Sequence, residues 1–157
     1  MYQFNLVIIG KEKNNPEQML IEHYKKLLKP FARIQVFCCK EEGFFSKNER
    51  EQVVRQEQNR LQKIIQKNSF IVALDAKGRL FDSETFAQHI PVWSNQEQHS
   101  ITFIIGGPLG LSQNIKNQAH LCLALSLFTF PHDLARSILM EQLYRAMTIL
   151  HKKTYHY

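Results

Sequence analysis

At 157 residues, with a formal charge of +6 and a pI near 9.3, the chain is long enough for one sizeable hydrophobic core. Its 44% hydrophobic and 22% charged residues are ordinary for a folded globular protein and exclude a disordered polyelectrolyte. The longest membrane-like apolar run, 121–127, is too short to cross a bilayer, and residues 1–10 hold no basic region or small-residue cleavage site, so neither a membrane nor an export signal is expected. Cys38, Cys39 and Cys122 are odd in number and form no CxxC pair; reduced thiols in a cytoplasmic protein are the expectation.

The charge is uneven along the chain. Residues 1–69 carry 13 Lys and Arg against 8 Asp and Glu, residues 70–130 carry 3 against 4, and residues 131–157 carry 4 against 2. Basic flanks around a neutral centre suit a small-ligand cleft with a polyanion such as RNA laid across its rim.

In chain order, 2–9 is a β-branched and aromatic strand ending at Gly10. Pro16 opens a helix to about Lys29, stopped by Pro30. A strand at 33–38 and a loop at 40–47 lead into a long polar helix over 48–67. That helix carries Arg50, Arg55, Arg60, Lys63 and Lys67 interspersed with Glu49, Glu51 and Glu57, the pattern of a solvated face that is also able to touch RNA. A third strand, 70–74, closes in a turn at 75–78; Ser83 caps a helix to Ile90 or Trp93; and 101–105 is a fourth strand. After a Gly-rich turn at 106–110, Ser112 caps a helix, 121–127 forms a fifth strand, and Pro131 opens a last helix to Leu150. Ala135, Ile138, Leu139, Leu143, Ala146, Met147 and Leu150 make its apolar stripe. Strands alternating with helices predict one α/β domain over 1–157, a mostly parallel sheet with helices on both faces. Ligands of such sheets sit beyond the carboxyl ends of the strands, which groups 74–75, 105–110 and 127–132 into one candidate site.

The run Ile-Ile-Gly-Gly-Pro-Leu-Gly-Leu-Ser at 104–112 lets a backbone approach a ligand closely. It lacks the Gly-Lys-Ser/Thr of a P-loop and the G-x-G-x-x-G spacing, and it suits a tight structural turn equally well. Ser-Leu-Phe-Thr-Phe-Pro-His at 126–132 is unusually apolar for a connection; it would wall an adenine ring or pack beneath the last helix. His132 and Arg136 lie beside it, while Glu141 and Arg145 have the spacing of a plain surface ion pair. The ending 151–157 mixes Lys152 and Lys153 with Tyr155, His156 and Tyr157, able to hold phosphates and stack a base or to fray as a terminus. The seven histidines are scattered, with no metal-ligand cluster, H-E-x-x-H or G-x-S-x-G, so metal and serine-hydrolase chemistry is not expected.

Together, 104–112, Leu-Ser-Leu-Phe-Thr-Phe-Pro-His at 125–132, Glu-Gln-Leu-Tyr-Arg-Ala at 141–146 and the terminal Tyr155-His156 resemble the RlmH family, SPOUT-class methyltransferases of the ribosomal large subunit. The resemblance covers essentially the whole chain and is strongest from residue 70 onward. It implies a SPOUT α/β fold with a C-terminal trefoil knot, a homodimer, and methylation of N3 of a pseudouridine in 23S rRNA on the large subunit or assembled ribosome. It further implies S-adenosylmethionine as donor, without a metal, held by Leu74, Gly106, Leu125, Ser126, Leu127, Phe128, Thr129 and Phe130. His156 and Tyr155 then hold or deprotonate the base, the tail crosses to the partner subunit, His132 and Arg136 are secondary candidates, and Lys152 and Lys153 face the RNA. The sequence departs from the family at its last position, where Tyr157 stands in place of a basic residue. Two other readings remain open at this point: a SPOUT enzyme for a tRNA base or ribose, and a non-catalytic nucleotide- or RNA-binding module suggested by the altered tail.

Overall fold

The computed structural model describes residues 1–43, 46–65, 68–96 and 100–155. Five strands form one parallel sheet: β1 (Tyr2–Ile9), β2 (Ala32–Cys39), β3 (Phe70–Arg79), β4 (Ser100–Ile105) and β5 (Leu121–Leu123), in the order β2-β1-β4-β3-β5. Five helices connect or follow them: α1 (Pro16–Leu28), α2 (Arg50–Ile64), α3 (Ser83–Gln96), α4 (Gln113–Gln118) and α5 (His132–Leu150).

Sequence dictates which face each helix covers. The crossovers β1→β2 and β3→β4 run toward one edge, and β2→β3 and β4→β5 toward the other. Right-handed connections therefore place α1 and α3 on one face and α2 and α4 on the opposite one. The packing follows. Phe4, Leu6, Ile8, Val72, Ile101 and Phe103 join Ile21 and Leu28 of α1, Phe86 and Ile90 of α3, and Leu139, Leu143 and Met147 of α5. Val7, Ile9 and Ile104 point the other way, onto Leu61 of α2 and Ile115 of α4. Both faces of β1 and β4 are thus buried, as a central parallel strand requires.

Several boundaries differ from the sequence-based expectation. The turn at 75–78 lies inside β3, because pairing with β5 resumes at Arg79 after a register shift and Ala124 donates its amide to the Arg79 carbonyl at 2.9 Å. Gly78 makes that bulge possible, since a Cβ there would meet the Cys122 backbone at 2.6 Å. β5 is shorter than 121–127, and the chain leaves the sheet after Leu123. The cap of α3 is Asp82, whose carboxylate accepts the Thr85 amide at 2.6 Å; Ser83 instead donates to Gln142 of α5 at 2.8 Å. α3 continues through Pro91 to Gln96. The polar helix expected over 48–67 begins with a 3-10 turn at Lys47–Glu49 and ends at Ile64; Lys67 lies outside the described residues. Asn15 and Ser112 cap α1 and α4 with side-chain acceptors at 2.9 and 3.2 Å.

Candidate cofactor cleft and tail

Neighbouring strands β4 and β3 send their chains to opposite faces, so a crevice opens beyond their carboxyl ends. It is a cleft of about 720 Å³, lined by Leu74, Asp75 and Ala76 at the bulge within β3, by residues 105–108 and Gly110 from the end of β4 onward, and by Leu123, Leu125, Ser126, Phe128, Thr129, Phe130, Pro131, His132 and Ala135 from the end of β5 into the first turn of α5. The three segments grouped by sequence pattern share one wall. Of the expected cofactor residues, Leu74, Gly106, Leu125, Ser126, Phe128, Thr129 and Phe130 line the cleft, whereas Leu127 points outward and is 82% exposed.

The glycine run both lines the cleft and forms the tight turn that its sequence also suited. A Cβ on Gly106 would sit 2.7 Å from the Gly110 carbonyl carbon, so its bareness serves the loop's own closure. Gly110 donates its amide to Gly107 at 2.9 Å and adopts φ +76°, closing a turn over Pro108 and Leu109.

Asp75 is the acidic residue of the lining. Lys77 donates its amide to Oδ1 at 3.2 Å, and Lys116 Nζ reaches Oδ2 at 3.0 Å. Burial works against the charge, yet the Lys116 ammonium and the Lys77 amide hold the Asp75 carboxyl below its ordinary range. His132 forms part of the wall, with its Nε2 buried and without a hydrogen-bond partner and 3.4 Å from Asp133 Oδ1. Arg136 does not line the cleft: it is 3% exposed and spends its guanidinium on Asp133, which also binds Lys13 Nζ at 2.9 Å.

The tail sits elsewhere. Tyr155 places its hydroxyl 3.5 Å from Glu141 Oε1 and 3.4 Å from the Tyr24 hydroxyl, with its ring edge-on to Tyr144 at 4.5 Å. Glu141 and Arg145, whose spacing read as a surface ion pair, are therefore part of a tail-binding cluster. Burial first, then the Tyr24 hydroxyl and the Glu141 charge, push the Tyr155 phenol well above its ordinary pKa. Glu141 is nine residues beyond His132 on α5, about 13 Å along the axis. One chain thus does not bring Tyr155 and His132 together. Lys152 and Lys153 are exposed, the latter with its ammonium 4.7 Å from the Phe31 ring centre. His156 lies outside the described residues.

Sequence reasoning brought Asp75 into the site only as part of 74–75 and gave no role to Asp133 or Glu57, whose partners come from elsewhere in the fold. Among the described residues no group of His, Cys, Asp or Glu is gathered that could hold a metal ion, and no helix is long and apolar enough to cross a membrane.

Residues 2–156 match the family model described as predicted SPOUT methyltransferase. The ribosomal RNA large subunit methyltransferase H of Natranaerobius thermophilus is 41% identical over 158 residues, covering 99% of both chains. That of Carboxydothermus hydrogenoformans is 39% identical over 157 residues, covering 98% of this chain and 99% of its own. Among solved structures, a probable methylase family protein from Haemophilus influenzae superposes with a TM-score of 0.55 at 13% identity, over 98% of this chain and 70% of that one, a likeness of fold. The chain belongs to the SPOUT methyltransferase family, in the group of the ribosomal RNA large subunit methyltransferases H.

Proposed function

We propose that this chain, acting as one catalytic domain over 1–157, methylates N3 of a pseudouridine in 23S rRNA of the large ribosomal subunit, with S-adenosylmethionine as donor. The observation that carries the reading is the convergence of three strand-end segments on one cleft. Its volume lies within the usual range for small-molecule sites. Its aromatic and aliphatic wall, Leu74, Leu125, Phe128 and Phe130, suits an adenine ring, and the backbone of 106–110 leaves polar groups for the ring edge and ribose. Asp75 gives the lining an anionic group suited to a cationic ligand. When bound, the cofactor supplies a methyl group already activated by its sulfonium charge.

The chain's own work is then positioning and proton handling. Phe128, 79% exposed at the rim, shields the reacting space once a partner or the RNA closes over it. N3–H of the base must be lost. Tyr155 stays protonated at neutral pH, so it holds a base oxygen as a donor and does not act as the general base. That role falls to His156, with His132 Nε2 in the cleft wall as the second group able to take a proton. Lys152 and Lys153 meet RNA phosphates.

The separation of Tyr155 from His132 within one chain supports a homodimer in which each tail completes the partner's cleft. Exposed Leu127 and Phe128 beside the cleft, and Met19 and Leu20 on α1, are apolar surface suited to such an interface. The trefoil knot belongs to the same reading, supported by the passage of 123–132 alongside both 74–76 and 105–110. A cytoplasmic location follows from a ribosomal substrate. The decisive experiment transfers labelled methyl from S-adenosylmethionine to ribosomes from a strain lacking the gene. N3-methylpseudouridine in large-subunit RNA is the expected product; label in tRNA, or cofactor binding without any transfer, would replace this reading.

A further inference from the structure

Helix α2 carries an acid where its apolar stripe belongs. Glu57 falls four residues from both Val53 and Leu61, and all three are buried, Glu57 at 3% exposure. A carboxylate in such a place must be hydrogen-bonded to offset the cost of its burial. Oε1 of Glu57 accepts the Glu42 amide at 3.1 Å. Both its oxygens lie 3.5 Å from the point where a Cβ on Gly107 would stand. One turn later Arg60 donates to the Lys40 carbonyl at 2.8 Å and pairs with the Glu42 carboxylate. A single turn of α2 therefore grips segment 40–42 on one side and lies beneath the Gly-rich turn on the other. Burial, with Glu41 adding to it, raises the Glu57 carboxyl above its ordinary range against the opposing pull of the Glu42 amide and Arg60. The chemistry assigned above uses none of these groups.

We propose that Glu57 is a positioning residue for the cofactor cleft, a buried strut that sets the height of Gly107, and with it the turn 107–110, by tying α2 to segment 40–42. The inference rests on the reading of this cleft as the S-adenosylmethionine site. Gly107 and Pro108 line the cleft directly, and the Glu57 carboxylate shares the Cβ side of Gly107 with Ile9 Cγ2, which a Cβ would meet at 3.0 Å. Its position is thus set by what stands under it. Shortening Glu57 removes the support and strands the Glu42 amide. The cost falls on cofactor binding, because the strut acts through the glycine backbone and touches no residue assigned to the RNA.

The test titrates S-adenosylmethionine into the full-length wild type, Glu57→Ala, Glu57→Leu and Glu57→Gln, with ribosome KM and thermal midpoints measured alongside. Glu57→Ala weakens cofactor binding by about tenfold or more, and Glu57→Gln, which keeps an oxygen for the Glu42 amide, returns to within about threefold of wild type. KM for ribosomes stays unchanged in both. Glu57→Leu fills the space and keeps the helix apolar, so it folds even where the alanine variant does not, and it too binds cofactor weakly. Wild-type affinity in folded Glu57→Leu or Glu57→Ala overturns the strut, as does a loss in Glu57→Gln equal to that in Glu57→Ala. Wild-type protein that takes up no S-adenosylmethionine sinks the reading of the cleft itself, a result distinguishable from either.

Discussion

The Tyr155 hydroxyl lies 3.5 Å from Glu141 Oε1, and the Arg145 guanidinium that pairs with the same oxygen stands 5.0 Å from the Tyr155 ring centre. A half-buried phenol between a carboxylate and another hydroxyl is held in its protonated form. Tyr155→Phe therefore removes a donor and leaves the ring packing on Tyr144. Methyl transfer slows by about tenfold to a hundredfold while S-adenosylmethionine affinity is unchanged. Single-turnover transfer to ribosomes, beside a binding titration, separates the two; unaltered turnover removes the hydroxyl from the mechanism.

Gly106 and Gly110 are both bare for backbone reasons, yet they differ in kind. At Gly106 an added methyl group collides with the Gly110 carbonyl carbon, so Gly106→Ala must displace the whole turn. Stability falls by about 1–3 kcal/mol and cofactor binding is lost with it. Gly106→Arg acts first through the same collision, before its length fills the cleft. At Gly110 a Cβ meets open space, and only φ +76° stands against it, so Gly110→Ala costs about 1 kcal/mol and leaves a working cleft. Chemical denaturation and calorimetry on both variants check the contrast; equal losses at the two sites would contradict it.

The architecture was legible because it is written in strong local patterns: β-branched runs at 2–9 and 101–105, Pro16 at the start of α1, and a long apolar stripe in α5. The convergence of the three loops was legible as well, since it follows from strand direction alone. What escaped depends on contacts between distant residues. The 75–78 turn reads as a strand end until β5 pairs with Arg79 beyond it, and Asp82 outcompetes Ser83 as a cap because Gln142, 59 residues away from Ser83, claims that hydroxyl. Glu57 stands four residues from both Val53 and Leu61, but so thin an apolar stripe on a polar helix does not show which of its acids is buried. Arg136 has the position of a site residue in sequence, but its guanidinium turns to Asp133 and away from the cleft.

Asp75 and Lys116 tie the β3 bulge to α4 at the edge of the cleft, with 22% and 23% of their side chains exposed. Against the cost of burial, the Lys116 ammonium and the Lys77 amide hold the Asp75 carboxyl below its ordinary range in the folded state, so it binds this proton less readily than in the unfolded chain. The pair's contribution is accordingly complete above the unfolded pKa and is lost as pH falls through the lower folded value. Asp75→Asn costs about 0.5–1 kcal/mol at pH 7, and the difference from wild type closes toward pH 3. Urea unfolding at the two pH values measures it; a gap that widens in acid would reverse the assignment.

The distance of about 13 Å along α5 between the Tyr155 cluster and His132 leads to a prediction about subunits rather than side chains. If each tail serves its partner's cleft, a chain with a ruined cleft and a chain with a ruined tail repair one another. Gly106→Arg abolishes the first function and the double change Tyr155→Ala, His156→Ala the second, and neither variant alone transfers methyl. Unfolded together and refolded at equal amounts, half of the dimers are mixed, and each mixed dimer carries one intact composite site. Activity then returns to about a quarter of the wild-type level, the share set by random pairing in a two-fold dimer. Both variants remaining dead on mixing, with mixed dimers demonstrated by mass spectrometry, would place the tail in its own subunit's cleft and would require Tyr155 to leave the Glu141 and Tyr144 surface during each turnover.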